Sequence, residues 1–215
     1  MNYLNFTQQV FALVFCLLTA QIATAQQQET ETGQETLTNK FVITHSGGYG
    51  GPVVKFSGID GKFAAFMGGY GGWFVNKQFM IGGGGYGLMG DNIKVDEEDK
   101  VDTGQPDRNL HYTLGYGGFM VEYTMNSDRL VHYTFNTLIG GGGVAQALDN
   151  NSEFASSRFF VFEPAANVEV NVTDFFRVGA GASIRLVAGV NTPGISNGDL
   201  SGVAGVLTFK FGYFD

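Results

Sequence analysis

Between Asp174 and Val190 every second residue is apolar: Phe176, Val178, Ala180, Ala182, Ile184, Leu186, Ala188 and Val190. The intervening positions include Arg177, Gly179, Gly181, Ser183 and Arg185. Successive side chains of a strand point to opposite faces, so this segment reads as a strand with one face free of polar side chains. Two further segments repeat the pattern. In 157–171, Phe160, Phe162, Pro164, Ala166, Val168 and Val170 lie opposite Glu163, Asn167, Glu169 and Asn171. In 201–213, Val203, Gly205, Leu207, Phe209, Phe211 and Tyr213 lie opposite Thr208 and Lys210. A Lys or Arg facing hydrocarbon at the bilayer midplane costs about 2–4 kcal/mol, and rows cleared of charge are what that penalty would leave.

The same reading gives eight strands, over 40–56, 61–75, 78–89, 109–125, 129–145, 157–171, 174–190 and 201–213. Short polar turns separate some of them, at 75–78, 125–128 and 171–174. Longer polar connections run over 91–108, 146–157 and 191–199, and Ser57 to Gly61 joins the first two strands on the same side as these. Tight turns on one side and longer loops on the other suit an all-β, eight-stranded antiparallel up-and-down transmembrane barrel. An even strand number places both ends of the barrel on the turn side.

Composition agrees with an exported barrel. Charged residues make up 15% of the 215, against about 25% in ordinary soluble domains. Aromatic residues reach 14% and glycine 33 positions. The formal charge of −8 excludes a nucleic-acid partner, which needs a basic surface. Much of the acid falls in one loop, at Asp91, Asp96, Glu97, Glu98, Asp99, Asp102 and Asp107, answered only by Lys94, Lys100 and Arg108.

The apolar run Val10 to Ala20 is shorter than the roughly 20 residues of a spanning helix, and Ala23-Thr24-Ala25 fits a small-x-small cleavage pattern. Residues 1–25 are therefore expected to be a cleaved signal peptide, although its first nine residues carry no Lys or Arg. Cys16 sits inside the run behind Phe15, which does not fit lipidation. Residues 26–39 read as a flexible polar leader, and 40–215 as the barrel. Cleavage would remove the only cysteine, leaving no thiol chemistry.

Periodicity alone does not say which face is outside, because a soluble barrel also alternates. The polar rows tilt the choice. They are sparse, rich in Gly and Ser, and carry both signs: Glu122, Glu163 and Glu169 against Lys55, Arg177, Arg185 and Lys210. An eight-stranded barrel is just wide enough to be filled by side chains, and charges buried there must be paired. The expected site is thus structural: an interior polar network of Glu122, His132, Glu163, Glu169, Arg177, Arg185 and Lys210. Trp73, Phe74, Phe79, Tyr123, Tyr133, Phe175, Phe176, Tyr213 and Phe214 cluster near the short turns and are expected to form an interfacial girdle.

The runs Gly82 to Gly85 and Gly140 to Gly143 lack the Gly-Lys-Ser/Thr and the helix of a phosphate-binding loop, and read instead as bending points of a small barrel. Pro164 cannot donate to a ladder, so a bulge or irregularity is expected there. Of the histidines, His45, His111 and His132, none forms a catalytic pattern. His132 shares a row with Thr134 and Asn136, as an interior hydrogen-bonded residue would. The run Asp96-Glu97-Glu98-Asp99 does not match a calcium-loop spacing and reads as a solvated acidic surface. No catalytic, cofactor-binding or metal-ligating residue is expected, and no cofactor.

The cleavable leader, the eight alternating strands, the junction Val-Thr-Asp-Phe-Phe-Arg-Val-Gly-Ala-Gly and the final strand Leu-Thr-Phe-Lys-Phe-Gly-Tyr-Phe together resemble the small eight-stranded bacterial outer-membrane barrels, in particular a glycine-rich subgroup. The resemblance covers about residues 40–215. It implies a Gram-negative outer-membrane location, outer-membrane lipid around the barrel, and the barrel-assembly machinery as the reader of the C-terminal aromatic, here Phe214 followed by Asp215. The expected function is structural or surface-interacting without catalysis, with an extracellular ligand reached through loops 91–108, 146–157 and 191–199. The alternatives are a narrow channel for small solutes, a lipid-modifying barrel enzyme, and a soluble secreted glycine-rich β protein.

Overall fold

The computed structural model describes residues 45–90, 93–101, 110–148 and 153–214. The signal and leader expectations, the first residues of the first strand, part of the acidic loop and Asp215 fall outside the described residues. The strands are β1 (Ser46–Ile59), β2 (Lys62–Val75), β3 (Phe79–Leu88), β4 (His111–Met125), β5 (Val131–Ala147), β6 (Glu153–Thr173), β7 (Phe176–Ala188) and β8 (Gly202–Gly212). Each pairs antiparallel with its sequence neighbour, and β1 pairs with β8 to close the barrel. Closure removes every sheet edge, which an apolar surroundings requires of a sheet.

The alternating rows take opposite sides of the wall. Phe160 and Ile184 are each 47% exposed on the outer face, while Glu169 is 0% and Arg185 1% exposed inside. Phe119, Phe135, Ile139, Leu207 and Phe211 continue the exposed apolar belt around the barrel.

Several boundaries differ from expectation. Ser57, Gly58 and Ile59 are not a connection: they pair with Ala64, Phe63 and Lys62. The β1–β2 link is a two-residue turn in which Asp60 and Gly61 both adopt left-handed backbone, at φ 50° and 67°. Asp and Gly carry that conformation at low cost, and it matches the twist of the paired strands. The 146–157 connection also contracts. β5 continues to Ala147 and β6 begins at Glu153, with a register shift between Val144 and Gln146. Polar residues read there as loop belong to strand ends. Pro164 produces no bulge. It pairs with Thr137 on β5, and on the β7 side the ladder skips from Phe162–Leu186 to Ala165–Ser183 without a change of register. The missing donor is accommodated by a gap, and Pro52 stands at a similar gap between β1 and β8.

The loop-side end carries a 3-10 turn, Glu97–Asp99, and a one-turn helix, α1 (Asn197–Leu200). α1 starts at a reciprocal cap. The Asp199 amide donates to Ser196 Oγ at 3.4 Å, and the Ser196 amide donates to Asp199 Oδ2 at 2.8 Å.

Candidate functional site

The lumen is the candidate site, and among the described residues it is lined by buried side chains. Its turn-side half holds an ionic cluster centred on Lys210 of β8, whose Nζ lies 2.5 Å from Glu122 Oε1 of β4 and 2.5 Å from Glu169 Oε1 of β6. Tyr49 and Tyr70 donate to the two oxygens of Glu122 at 2.5 and 2.6 Å. Thr134 donates to Glu169 at 2.9 Å. His132 Nε2 lies 3.4 Å from Glu169 Oε2, and its Nδ1 lies 3.2 Å from the Arg129 carbonyl. Each carboxylate is therefore met by several donors, which is the condition for keeping charge in a low-dielectric interior.

Nearer the loops, Lys55 of β1 pairs with Glu163 of β6 at 2.8 Å, and Ser183 donates to the same carboxylate at 2.7 Å. The Lys55 ammonium also sits 3.4 Å over the Tyr86 ring.

The two arginines stand apart from both clusters. Arg185 donates through Nε to the Leu200 carbonyl at 2.7 Å and lies over the Phe66 ring at 4.5 Å. Arg177 donates to the Ser127 carbonyl at 3.5 Å and lies over the Phe214 ring at 3.8 Å. Among the described residues neither has a carboxylate at ion-pair distance. Of the seven expected residues, Glu122, His132, Glu169 and Lys210 come together. Glu163 joins Lys55, while Arg177 and Arg185 each hold one mouth of the barrel.

Arg185 fastens α1 from below and so ties the loop-side cap to the wall. That cap is built from buried Ile93, Val95, Leu148, Ile195 and Leu200. Buried Gln146 joins its parts: it accepts from the Val101 amide at 3.2 Å and donates to the carbonyls of Asp99 at 2.8 Å and Pro193 at 3.2 Å. Tyr112 donates to the Pro193 carbonyl at 2.8 Å. The acidic run stays on the surface, with Lys100 on Glu97 and Lys62 on Asp60 and Asp96.

At the turn-side mouth the girdle expectation needs correction. Trp73, Phe79, Tyr133, Phe175 and Tyr213 are exposed outside as expected, but Phe74 and Phe214 are only 2% and 3% exposed and point into the lumen. They pack on Tyr49 at centroid distances of 5.2 Å each. Parity gave the signal. Phe74 shares the inward row of Phe66 and Tyr70, and Phe214 continues the row of Thr208 and Lys210. The same parity would have found the phenols that the sequence reading passed over, since Tyr116 shares a row with Glu122 and Tyr49 with Lys55.

No family model matches the sequence, and no curated protein matches it. Among solved structures, the chain is similar to Neisserial surface protein A, with a TM-score of 0.56 at 11% identity over 81% of this chain and 100% of that one. The N-terminal β-barrel domain of Pseudomonas aeruginosa OprF gives 0.49 at 11% identity, over 80% and 100%. Ail, the attachment invasion locus protein of Yersinia pestis, gives 0.42 at 12%, over 78% and 97%. At these identities the likeness concerns the fold alone, and that with Neisserial surface protein A agrees with the closed eight-stranded barrel described above. The chain has the fold of the small eight-stranded β-barrels of the bacterial outer membrane.

Proposed function

We propose that this protein is an outer-membrane β-barrel of structural or surface-interacting type, without catalysis, inserted with its loops outward and its turns toward the periplasm. The observation that carries the reading is the polarity of the wall. Charged side chains are enclosed in the lumen, and Phe119, Phe135, Phe160, Ile184 and Phe211 form an exposed belt that water would not tolerate as a continuous surface. This weighs against a soluble secreted protein. The lumen weighs against a channel: among the described residues it is lined by buried side chains and crossed by the Lys210 and Lys55 ion pairs. His132 lies enclosed between a carbonyl and Glu169, away from any surface where a lipid substrate could reach it, which weighs against a barrel enzyme.

The barrel-assembly machinery remains the folding partner we propose, on the aromatic C-terminal segment: Phe214 faces the lumen, and exposed Phe211 of β8 and Tyr213 after it support the reading. Contact with an extracellular ligand would fall to the loop-side end. There a recess of about 520 Å³, with Tyr112, Ser156 and Arg158 in its lining, supports such a role.

Two measurements test the reading. Membrane fractionation with heat-modifiable gel migration should place the folded chain in outer membranes; recovery from the soluble fraction would end it. In planar bilayers the barrel should add no steady conductance, and discrete open-channel steps would replace this reading with the channel.

A further inference from the structure

At the turn-side rim, between the β4–β5 and β6–β7 turns, lies a recess of about 330 Å³. Its lining joins exposed Leu130 and Val172 to buried Arg177 and Phe214. Arg177 is 5% exposed, yet its Nε has no hydrogen-bond partner. The Oδ1 of Asn171, its cross-strand neighbour on β6, has none either. An unpartnered donor and an unpartnered acceptor thus belong to cross-strand neighbours. The guanidinium lies on Phe214 and has no carboxylate of its own, because Lys210, opposite it on β8, takes both Glu122 and Glu169. Asp128 and Asp174, both exposed, complete the lining of the recess. Asp128 is 80% exposed at its side chain and only loosely held, 3.7 Å from Lys77.

The recess therefore has a cationic floor, an anionic rim and an apolar outer lip. One molecule satisfying all three has an anion, a short tether to an ammonium that still carries hydrogens, and hydrocarbon chains. We propose that this recess holds the headgroup of a primary-ammonium zwitterionic phospholipid of the turn-side leaflet. Arg177 takes the phosphate. The ammonium donates to Asn171 and the two rim aspartates, and the chains descend along Leu130 and Val172. A choline headgroup lacks the N–H donors, an anionic headgroup lacks the cation, and free phosphate lacks the chains. The proposal rests on the membrane reading above, which gel migration checks before any lipid is added.

The test uses the full chain folded in detergent and titrated with short-chain phosphatidylethanolamine, phosphatidylcholine and phosphatidylglycerol, reading amide NMR shifts across 171–174. The ethanolamine lipid is expected to bind about tenfold more tightly than the other two, the difference expected of charge-assisted hydrogen bonds. Arg177→Gln should weaken it by about as much. The double variant Asp128→Asn, Asp174→Asn should erase the preference over choline; both positions are exposed, so it carries the test should Arg177→Gln not fold. Equal binding of the three lipids, tighter binding of phosphatidylglycerol, equal binding of soluble phosphoethanolamine, or a double variant that keeps its preference would each overturn the proposal.

Discussion

The barrel has two unlike walls. On β6, β7 and β8 the outer row is aliphatic and aromatic, and the inner row carries Glu163, Glu169, Arg177, Arg185 and Lys210. On β2, β3, β4 and the loop-side half of β5, glycine occupies both rows, and the lumen is lined by Phe66, Tyr70, Tyr86, Tyr116 and Met120. The charged wall is stabilised by what its side chains reach across the lumen. The glycine wall is shaped by side chains it lacks. Gly72 and Gly82 face each other across β2 and β3, as Gly118 and Gly140 do across β4 and β5. A Cβ on Gly82 or on Gly140 would stand 2.6 Å from its partner's Cα. These inward pairs let the wall bend sharply, and side chains from neighbouring positions close over inward glycines: Met80 over Gly72, Phe159 over Gly142 and Tyr70 over Gly84. The charged wall is thus specified by chemistry and the glycine wall by curvature, and the Tyr49 and Tyr70 hydroxyls on Glu122 join the two.

The contrast makes ranked expectations. Lys210→Met leaves Glu122 and Glu169 buried without their shared cation and should cost about 3–5 kcal/mol, read as a lowered urea midpoint from the fluorescence of Trp73, the single tryptophan. Arg185→Glu sets a buried carboxylate against the Leu200 carbonyl and should cost as much, while Lys100→Glu on the surface should cost about 1 kcal/mol or less; equal tolerance of the two would mean that Arg185 does not hold the cap to the wall. Ile184→Arg, on the outer face of the charged wall, should cost about 2–4 kcal/mol in bilayers, and no loss there would contradict a hydrocarbon-facing row. On the glycine wall, Gly140→Ala should lose about 1–3 kcal/mol, whereas outward Gly143, whose added Cβ would stand 3.7 Å from the Ser157 carbonyl oxygen, should accept alanine with little change. Comparable losses at both positions would show that curvature does not set the wall's glycine content. The smallest expected effect is at the β1–β2 turn, where Gly61→Ala should cost about 1 kcal/mol from the left-handed backbone alone; a stabilised variant would mean that the turn adopts another conformation.

The charged wall was readable because every second residue was barred from charge, and that rule left rows with a definite phase. The phase located Glu163, Glu169, Arg177, Arg185 and Lys210 on the inner face. It could not pair them, because which strands face each other across the lumen depends on how the barrel staggers at closure. Hence Lys55 emerges as the partner of Glu163, and the arginines turn to carbonyls and rings instead of carboxylates. The glycine wall has no such phase. A residue without a side chain reports no face, so the inward Phe74 was taken for a girdle residue, and only its parity with Phe66 and Tyr70 marks it as inward. The strand ends were lost for another reason: polar side chains beyond the apolar belt look like loop, as at Gln146, although the backbone there is still paired.

Residue order alone was enough for the all-β class, the strand number and the outward direction of the apolar rows, because a two-residue period combined with the cost of charge in hydrocarbon leaves few other solutions. The cap beneath the loops, the aromatic floor under Arg177 and the division of the lumen into separate clusters come from closure. They join residues far apart in the chain, such as Tyr49 with Glu122 and Arg185 with Leu200, whose meeting depends on the stagger of eight strands, and no local pattern carries that quantity.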